Sequence, residues 1–437
     1  MNEPTLPTGI ASDTPSLPAA TGSQEAGPVQ PRERMLLLDV LRGFALLGIL
    51  QVNFGFESAS AGARSNLLNF FVDGSFYTTF AFLFGLGFSI QIIRAEEMKR
   101  PFILRYLWRT LILFFIGATH YVFISSDFDA LHYLAVCAVL LLFVRRWRPS
   151  LIIALAAAFL VFSMSPPVPE GHIWTRINPE QVEAERLGRQ LSTATSEANP
   201  PAWCQMIPGL TDAYRGDVCR EAEHLRTRLT QELATVRWWQ NDLAPMLCML
   251  LLGLYAGRRR ILRDAAQHTR FFIWVAVVAL VFGLAGNALD VFREFFTGKG
   301  IALPKALDGW RLTYLLGNIG LALFYLASIT LLFTHWRRAR RVLAPLANVG
   351  RMGLTNYLMQ SVIFVMVLGR GFGIQVEGWY GFLLLNSFFV VQILYSYWWF
   401  RYFQFGPVEW VWRSLTWFRV QPMRIAPSDK TFGRTVG

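Results

Sequence analysis

The stretch "LDVLRGFALLGILQVN", residues 38–53, opens with Asp39 and Arg42, runs apolar for most of a helix, and stops at Asn53. A run of this length and composition is a bilayer-spanning helix. Such helices rarely carry charged or amide side chains, so these three residues decide how the segment sits. On a helix each residue advances about 100°. Arg42 and Asn53 are eleven residues apart and point nearly the same way, with Asp39 on the adjoining stripe. Roughly 16 Å of helix axis separates Arg42 from Asn53. A face carrying all three costs a few kcal/mol per charge against lipid, so it is expected to turn toward other helices or a water-filled cavity. Two readings follow. In one, Asp39 and Arg42 snorkel to the interface and pair, with Asn53 bonding between helices. In the other, the stripe is a polar path from one surface into the membrane.

The rest of the chain agrees with a membrane setting. Of 437 residues, 54% are hydrophobic and only 16% charged, below the quarter usual for soluble domains. The expected fold class is all-α, a polytopic transmembrane helix bundle of ten spans. They lie near 36–56, 73–93, 106–125, 130–145, 149–165, 244–257, 271–292, 312–334, 346–368 and 379–400. The basic loops "RAEEMKR", "RRWR", "GRRRILRD" and "HWRRARR" follow even-numbered spans, and the C-terminal arginines follow the tenth. The positive-inside rule then places both termini in the cytoplasm of a multi-pass protein. It also accounts for the net charge of +12, which in a soluble protein would raise nucleic acid as a partner; none is expected here.

Residues 1–34 read as a disordered tail without apolar periodicity, and 418–437 as a second cytoplasmic tail. Between the five-span halves, 35–165 and 244–417, lies an extracytoplasmic segment, 166–243, with an amphipathic helix from Asp217 to Trp238. It holds Cys204 and Cys219, which can pair only outside the cytoplasm. Small residues recur at packing spacing: Ala81, Gly85 and Ser89 in the second span, Gly253 and Gly257 in the sixth.

Further polar groups sit at membrane depth. His120 closes the third span, and "DFDALHY" brings Asp127, Asp129 and His132 close behind it. Imidazole suits general-base work near neutral pH, and a carboxylate can orient it. The competing reading makes the two histidines helix-end caps. The ninth span, "LANVGRMGLTNYLMQS", carries Arg351 and Thr355 on one helical face and Asn356 and Gln360 on another. Arg351 is placed to meet an anionic group, since guanidinium binds phosphate bidentately. No phosphate loop, dinucleotide fingerprint, zinc motif or nucleophile elbow is present, and no metal is expected.

These motifs resemble the YeiB-like bacterial inner-membrane proteins. The resemblance rests on "LDVLRGFALLGILQVN", "FYTTFAFLFGLGFSIQ", "GATH", "DALHYLAVCAVLLL", "LANVGRMGLTNYLMQS" and "FGPVEWVWRSLTW", in that order, and covers most of residues 34–417. It implies a place in the bacterial cytoplasmic (inner) membrane. More distantly the group resembles transmembrane acyltransferases of the heparan-glucosaminide acetyltransferase and sugar O-acyltransferase types. Those carry an acyl group from cytoplasmic acyl-CoA to an acceptor across the membrane. The sugar O-acyltransferases have an Arg, ten residues, then a His in their first span; here Arg42 and Asn53 have that spacing, and Asn53 cannot act as a base.

The resulting expectation is an acyltransferase with acyl-CoA as co-substrate and a glycan or membrane lipid as acceptor. His120, oriented by Asp129 or Asp127, would be the base, and Asn53 the oxyanion donor. Asp39, Arg42, Arg351, Asn356, Gln360 and His132 would line the binding path. The alternative is a carrier of a small anion, with the same arginines binding substrate and His120 and Asp129 relaying protons.

Overall fold

The computed structural model describes residues 36–55, 70–72, 74–99, 103–124, 131–165, 243–298, 310–372 and 378–425. Asp127, Asp129, Cys204, Cys219, the expected helix at 217–238 and the first 34 residues lie outside this set. Among the described residues every extended element is helical: α1 Leu36–Gly55, α2 Ser75–Glu97, α3 Ile103–Phe123, α4 Leu131–Val144, α5 Pro149–Met164, α6 Ala244–Arg258 and α7 Thr269–Gly298. There follow α8 Trp310–His335, α9 Arg337–Leu343, α10 Leu346–Arg351, α11 Gly353–Ser361, a π-helical stretch Val362–Gly371, α12 Gly378–Trp399 and α13 Pro407–Trp417. Among the described residues six helices are long and apolar enough to cross a membrane: α1, α2, α3, α7, α8 and α12. Apolar helices at 131–144, 149–164, 244–258 and 353–368 are shorter.

Helix α1 is the hub. Of its apolar window 78% is buried, against 28% for α12 and 33% for α7. Its first half joins a core of Leu41, Phe82, Leu86, Leu141, Leu250 and Leu254 drawn from α1, α2, α4 and α6. Its second half joins a separate core with Leu113, Tyr357, Phe364, Leu385 and Phe389. By contrast, α7 leaves Phe271, Trp274, Val278 and Phe282 exposed, as expected of a lipid-facing helix.

Backbones approach most closely where the sequence has small residues. A side chain at Gly85 would overlap the Leu250 carbonyl, and one at Gly253 the Phe82 carbonyl, so the small-residue stripes of α2 and α6 meet each other. The same device joins α1 to α10: Gly43 lies on the Leu346 carbonyl, and Gly350 on that of Asp39. The order of these contacts makes α10 run against α1. Substituting Gly350 with Val is expected to force this crossing apart and lower stability by about 1–3 kcal/mol. A thermal-melt comparison with wild type in detergent would check it.

The expected continuous span at 346–368 is broken. At Met352 (φ −113°, ψ 45°) the chain leaves helical geometry. Beyond it, Gly353 approaches Leu46, and Phe364 stacks on Phe54 at 5.0 Å between ring centroids. So α11 and the π-helical stretch follow α1 in its own direction. The two-faced polar pattern read for one straight helix belongs instead to two short helices.

Candidate functional site

Of the polar side chains of α1, Asp39, Gln51 and Asn53 are buried and Arg42 is half-buried. Asp39 is 7% exposed, Gln51 5% and Asn53 2%. At the start of α1, Arg42 donates to Asp39 at 3.3 Å, and its guanidinium lies against Gly87 of α2. Because Gly350 rests on the Asp39 backbone, Arg351 belongs to this same end. Its guanidinium stacks on Phe400 at 3.8 Å from the ring centre. Asp39, Arg42 and Arg351 therefore lie at the same end of α1, with Arg42 paired to Asp39 and Arg351 turned onto Phe400.

At the far end of α1 the side-chain oxygen of Asn53 accepts from the Tyr77 hydroxyl. Its Nδ2, and both amide atoms of Gln51, are buried with no hydrogen-bond partner among the described residues. A buried polar atom left unpaired costs about 1–3 kcal/mol. Such atoms mark positions that a water or a polar ligand completes.

The histidines are equally buried: His120 is 2% exposed and His132 1%. The ring of His120 lies 5.4 Å from that of Tyr357 on α11, between centroids. His132 meets the ring edge of Tyr121 at 5.6 Å and sits 3.9 Å from Tyr133. His120 and Asn53 share no hydrogen bond, since the Asn53 oxygen is held by Tyr77 and its Nδ2 is open.

Asn356 and Gln360 are engaged with α12. Asn356 Nδ2 donates to the Val349 carbonyl at 3.2 Å and to Ser396 Oγ at 3.1 Å. Gln392 Nε2 donates back to the Asn356 carbonyl at 3.1 Å, and Gln360 Nε2 donates to Gln392 Oε1 at 3.0 Å. This amide ladder clasps α11 to α12 across the break. Only Gln360 Oε1 in it is buried without a partner.

Sequence reasoning passed over Gln51, which lies inside the opening stretch but on another stripe from Asn53. It passed over Gln392 and Ser396, whose importance depends on which helix faces α11. It also missed Glu409. That carboxylate, on α13, accepts from the backbone N–H of Leu354 at 2.7 Å and of Thr355 at 3.1 Å, and from the Thr355 hydroxyl at 2.5 Å. It caps the first turn of α11 from a helix more than fifty residues away. Among the described residues no group of three or more His, Cys, Asp or Glu is arranged to hold a metal.

Comparison with known proteins divides the chain. Residues 256–419 match the family model described as "Protein of unknown function (DUF418)". Residues 34–183 match the model described as "Heparan-alpha-glucosaminide N-acetyltransferase, catalytic". The chain is 28% identical over 431 residues to "Uncharacterized protein YxaH" of Bacillus subtilis, covering 91% of this chain and 97% of that one. It is 27% identical over 415 residues to an uncharacterized 39.9 kDa protein of Bacillus acidopullulyticus, covering 91% and 97%. A 90-residue stretch, 20% of this chain and 23% of the other, is 36% identical to "Uncharacterized protein YeiB" of Escherichia coli. No solved structure matches. The apolar helices, the two family models and these relatives agree on a membrane-type helical protein similar to the DUF418 family in its second half and to the acetyltransferase family in its first, with YxaH similar over most of its length and YeiB over a short stretch.

Proposed function

We propose that the protein is an acyltransferase of the bacterial inner membrane, moving an acyl group from cytoplasmic acyl-CoA to a glycan or lipid acceptor on the outer side. The observation that carries this reading is the polar stripe of α1, with Asp39 and Asn53 buried. It lies within the residues that match the acetyltransferase model and ends on the open amide of Asn53. In this arrangement all ten apolar helices cross the bilayer, both termini are cytoplasmic, and the basic mouth of Asp39, Arg42 and Arg351 faces acyl-CoA.

Donor phosphates sit at the mouth, and the thioester reaches along α1. Asn53 Nδ2 donates to the thioester carbonyl oxygen, and this bond strengthens as the oxygen gains charge. His120 takes the proton from an acceptor hydroxyl or amine, oriented by Asp127 or Asp129. The acceptor heteroatom bonds to the carbonyl carbon, the carbon–sulfur bond breaks, and the proton leaves with CoA as its thiol. His132, close to Tyr121, supports the same wall. Gln360, through its open oxygen, is the member of the α11–α12 ladder able to touch acceptor, while Asn356 holds the ladder in place.

Purified protein incubated with labelled acetyl-CoA and longer acyl-CoAs is expected to release CoA in a protein-dependent way. No CoA binding and no thioester cleavage at any chain length would overturn the reading. pH-dependent uptake of an anion into proteoliposomes without chemical turnover would replace it with transport.

A further inference from the structure

Helix α13 is turned inside out for a helix in water. Its protein-facing side carries Glu409 and Thr416, both buried. On the opposite side Val411, Leu415 and the residue that ends the helix, Phe418, are 43%, 50% and 79% exposed. An amphipathic helix in water shows the reverse arrangement. The cap on α11 accounts for the buried carboxylate, which leaves the outer apolar face to be explained. Its neighbour is α3. Trp108 stacks on Phe418 at 5.3 Å between ring centroids, and Trp108 Nε1 donates to the Leu415 carbonyl at 3.0 Å. Leu104 and Leu111, one turn before and one turn after Trp108, share its stripe of α3 and are exposed. Helix α3 is long and apolar enough to cross a membrane, so that stripe faces acyl chains. Through Trp108 the apolar face of α13 continues the lipid-facing surface of α3.

The contacts also fix how α13 lies. The Arg109 guanidinium sits over the Trp412 ring at 4.0 Å from its centre, and that of Arg105 over Trp417 at 4.1 Å. So α13 runs back along the first turns of α3 and ends beside the start of that helix. The overlap from Arg105 to Arg109 is about 6 Å of axis, within the roughly 5–10 Å to which interfacial helices sink. Neither arginine has a carboxylate partner among the described residues, and Glu409 is turned the other way. Arg419, directly after Phe418, is exposed. Indoles and arginines gathered where a spanning helix begins are the composition of a membrane–water interface, and basic groups there attract anionic lipid.

We propose that α13 docks into the lipid leaflet at the Ile103 end of α3, with Val411, Leu415 and Phe418 among acyl chains and Arg105 and Arg419 on the phosphates of anionic phospholipids. Docking of this kind is independent of the acyl-transfer reading. The opposite side of the same helix caps α11, so the leaflet and the cap hold one element between them.

Replacing Cys204 and Cys219 by serine in the full chain leaves only the buried Cys137 and Cys248. In that background Leu415→Cys, carrying a fluorophore and placed in nanodiscs, reads the surroundings of the outer face. Lipids brominated on their acyl chains should quench it, as they should a label at Val278→Cys on α7. Aqueous iodide should quench only a label at the exposed Gln267→Cys. The headgroup contact is read separately, as the phosphatidylglycerol that the purified chain retains from a mixed bilayer relative to phosphatidylcholine. Wild type should favour phosphatidylglycerol. Arg105→Gln should lower that preference about fivefold, the worth of one interfacial arginine, and Arg105→Lys should keep most of it. Iodide quenching at Leu415 without an effect of brominated lipid would put the face in water and overturn the docking. Quenching by neither would mean that protein covers it, a second copy or another chain, and would overturn the docking equally. Equal retention of the two lipids, or a folded Arg105→Gln with wild-type preference, would overturn the assignment of Arg105 to phosphate.

Discussion

His120→Ala is expected to lower the rate of acyl transfer by about 10²–10⁴-fold, the range for removing a positioned general base. Binding of CoA should survive, because the basic mouth lies at the other end of α1 from the imidazole's neighbour Tyr357. The loss should therefore appear in kcat, with the KM for acyl-CoA little changed. Asn53→Ala should also lower kcat, by about 10²–10³-fold, as for a lost oxyanion donor. Asn53 holds the Tyr77 hydroxyl, so that variant should also melt earlier, whereas Asn53→Asp keeps an acceptor for Tyr77 while replacing the donor with a carboxylate that opposes the developing oxyanion. Raising the pH, or supplying a free imidazole, separates a chemical role from a packing one. A base defect responds to either, whereas a misfolded His120→Ala protein responds to neither. Unchanged turnover in a folded His120→Ala protein would remove His120 from the chemistry.

Much of this arrangement is legible in the sequence because lipid is an unforgiving solvent. Asp39 and Asn53 in an apolar run can only face inward, and they do, while Arg42 is half-buried beside Asp39. Gly85 and Gly253 announce close helix contacts, and their helices pack on one another. What the sequence hides is whatever a distant segment decides. In "GRMGLT" no proline is present, and Gly350 and Gly353 weaken a helix by about 1 kcal/mol each without fixing whether or where it breaks. Just past the break at Met352, Glu409 caps α11, and its partners there are known only once α13 has been placed. The ladder explains Asn356 and Gln360 in the same way. As single residues in a span they read as ligand groups, yet both are paired through Gln392 and Ser396, which line α12 in register with them.

Glu409 carries the largest stability prediction. Glu409→Ala would leave the Leu354 and Thr355 N–H groups without their acceptor and the Thr355 hydroxyl without its own. Unpaired buried donors of this kind lower stability by about 2–3 kcal/mol together, after partial rehydration. Glu409→Gln keeps one oxygen for the two N–H groups, and its amide nitrogen can turn toward Thr355 Oγ1, so most of the loss should be restored. The two variants also differ from wild type in how stability varies with pH. Burial raises the Glu409 carboxyl above its ordinary value of 4.5, against the hydrogen bonds from Thr355 and Leu354 that favour the charged form. The folded protein then holds this proton more tightly than the unfolded chain does. Between the unfolded and the raised folded value, stability must fall as pH rises, and the contribution is complete only below the unfolded value. Melting wild type and Glu409→Gln side by side from about pH 4 to about pH 8 isolates this group, because every other titration is common to both. Wild type should lose stability relative to the glutamine variant as pH rises from the acid end, then run parallel to it. A constant difference at all pH values would mean that burial does not outweigh the cap. Equal melting of Glu409→Ala and Glu409→Gln would mean that α11 does not depend on its cap.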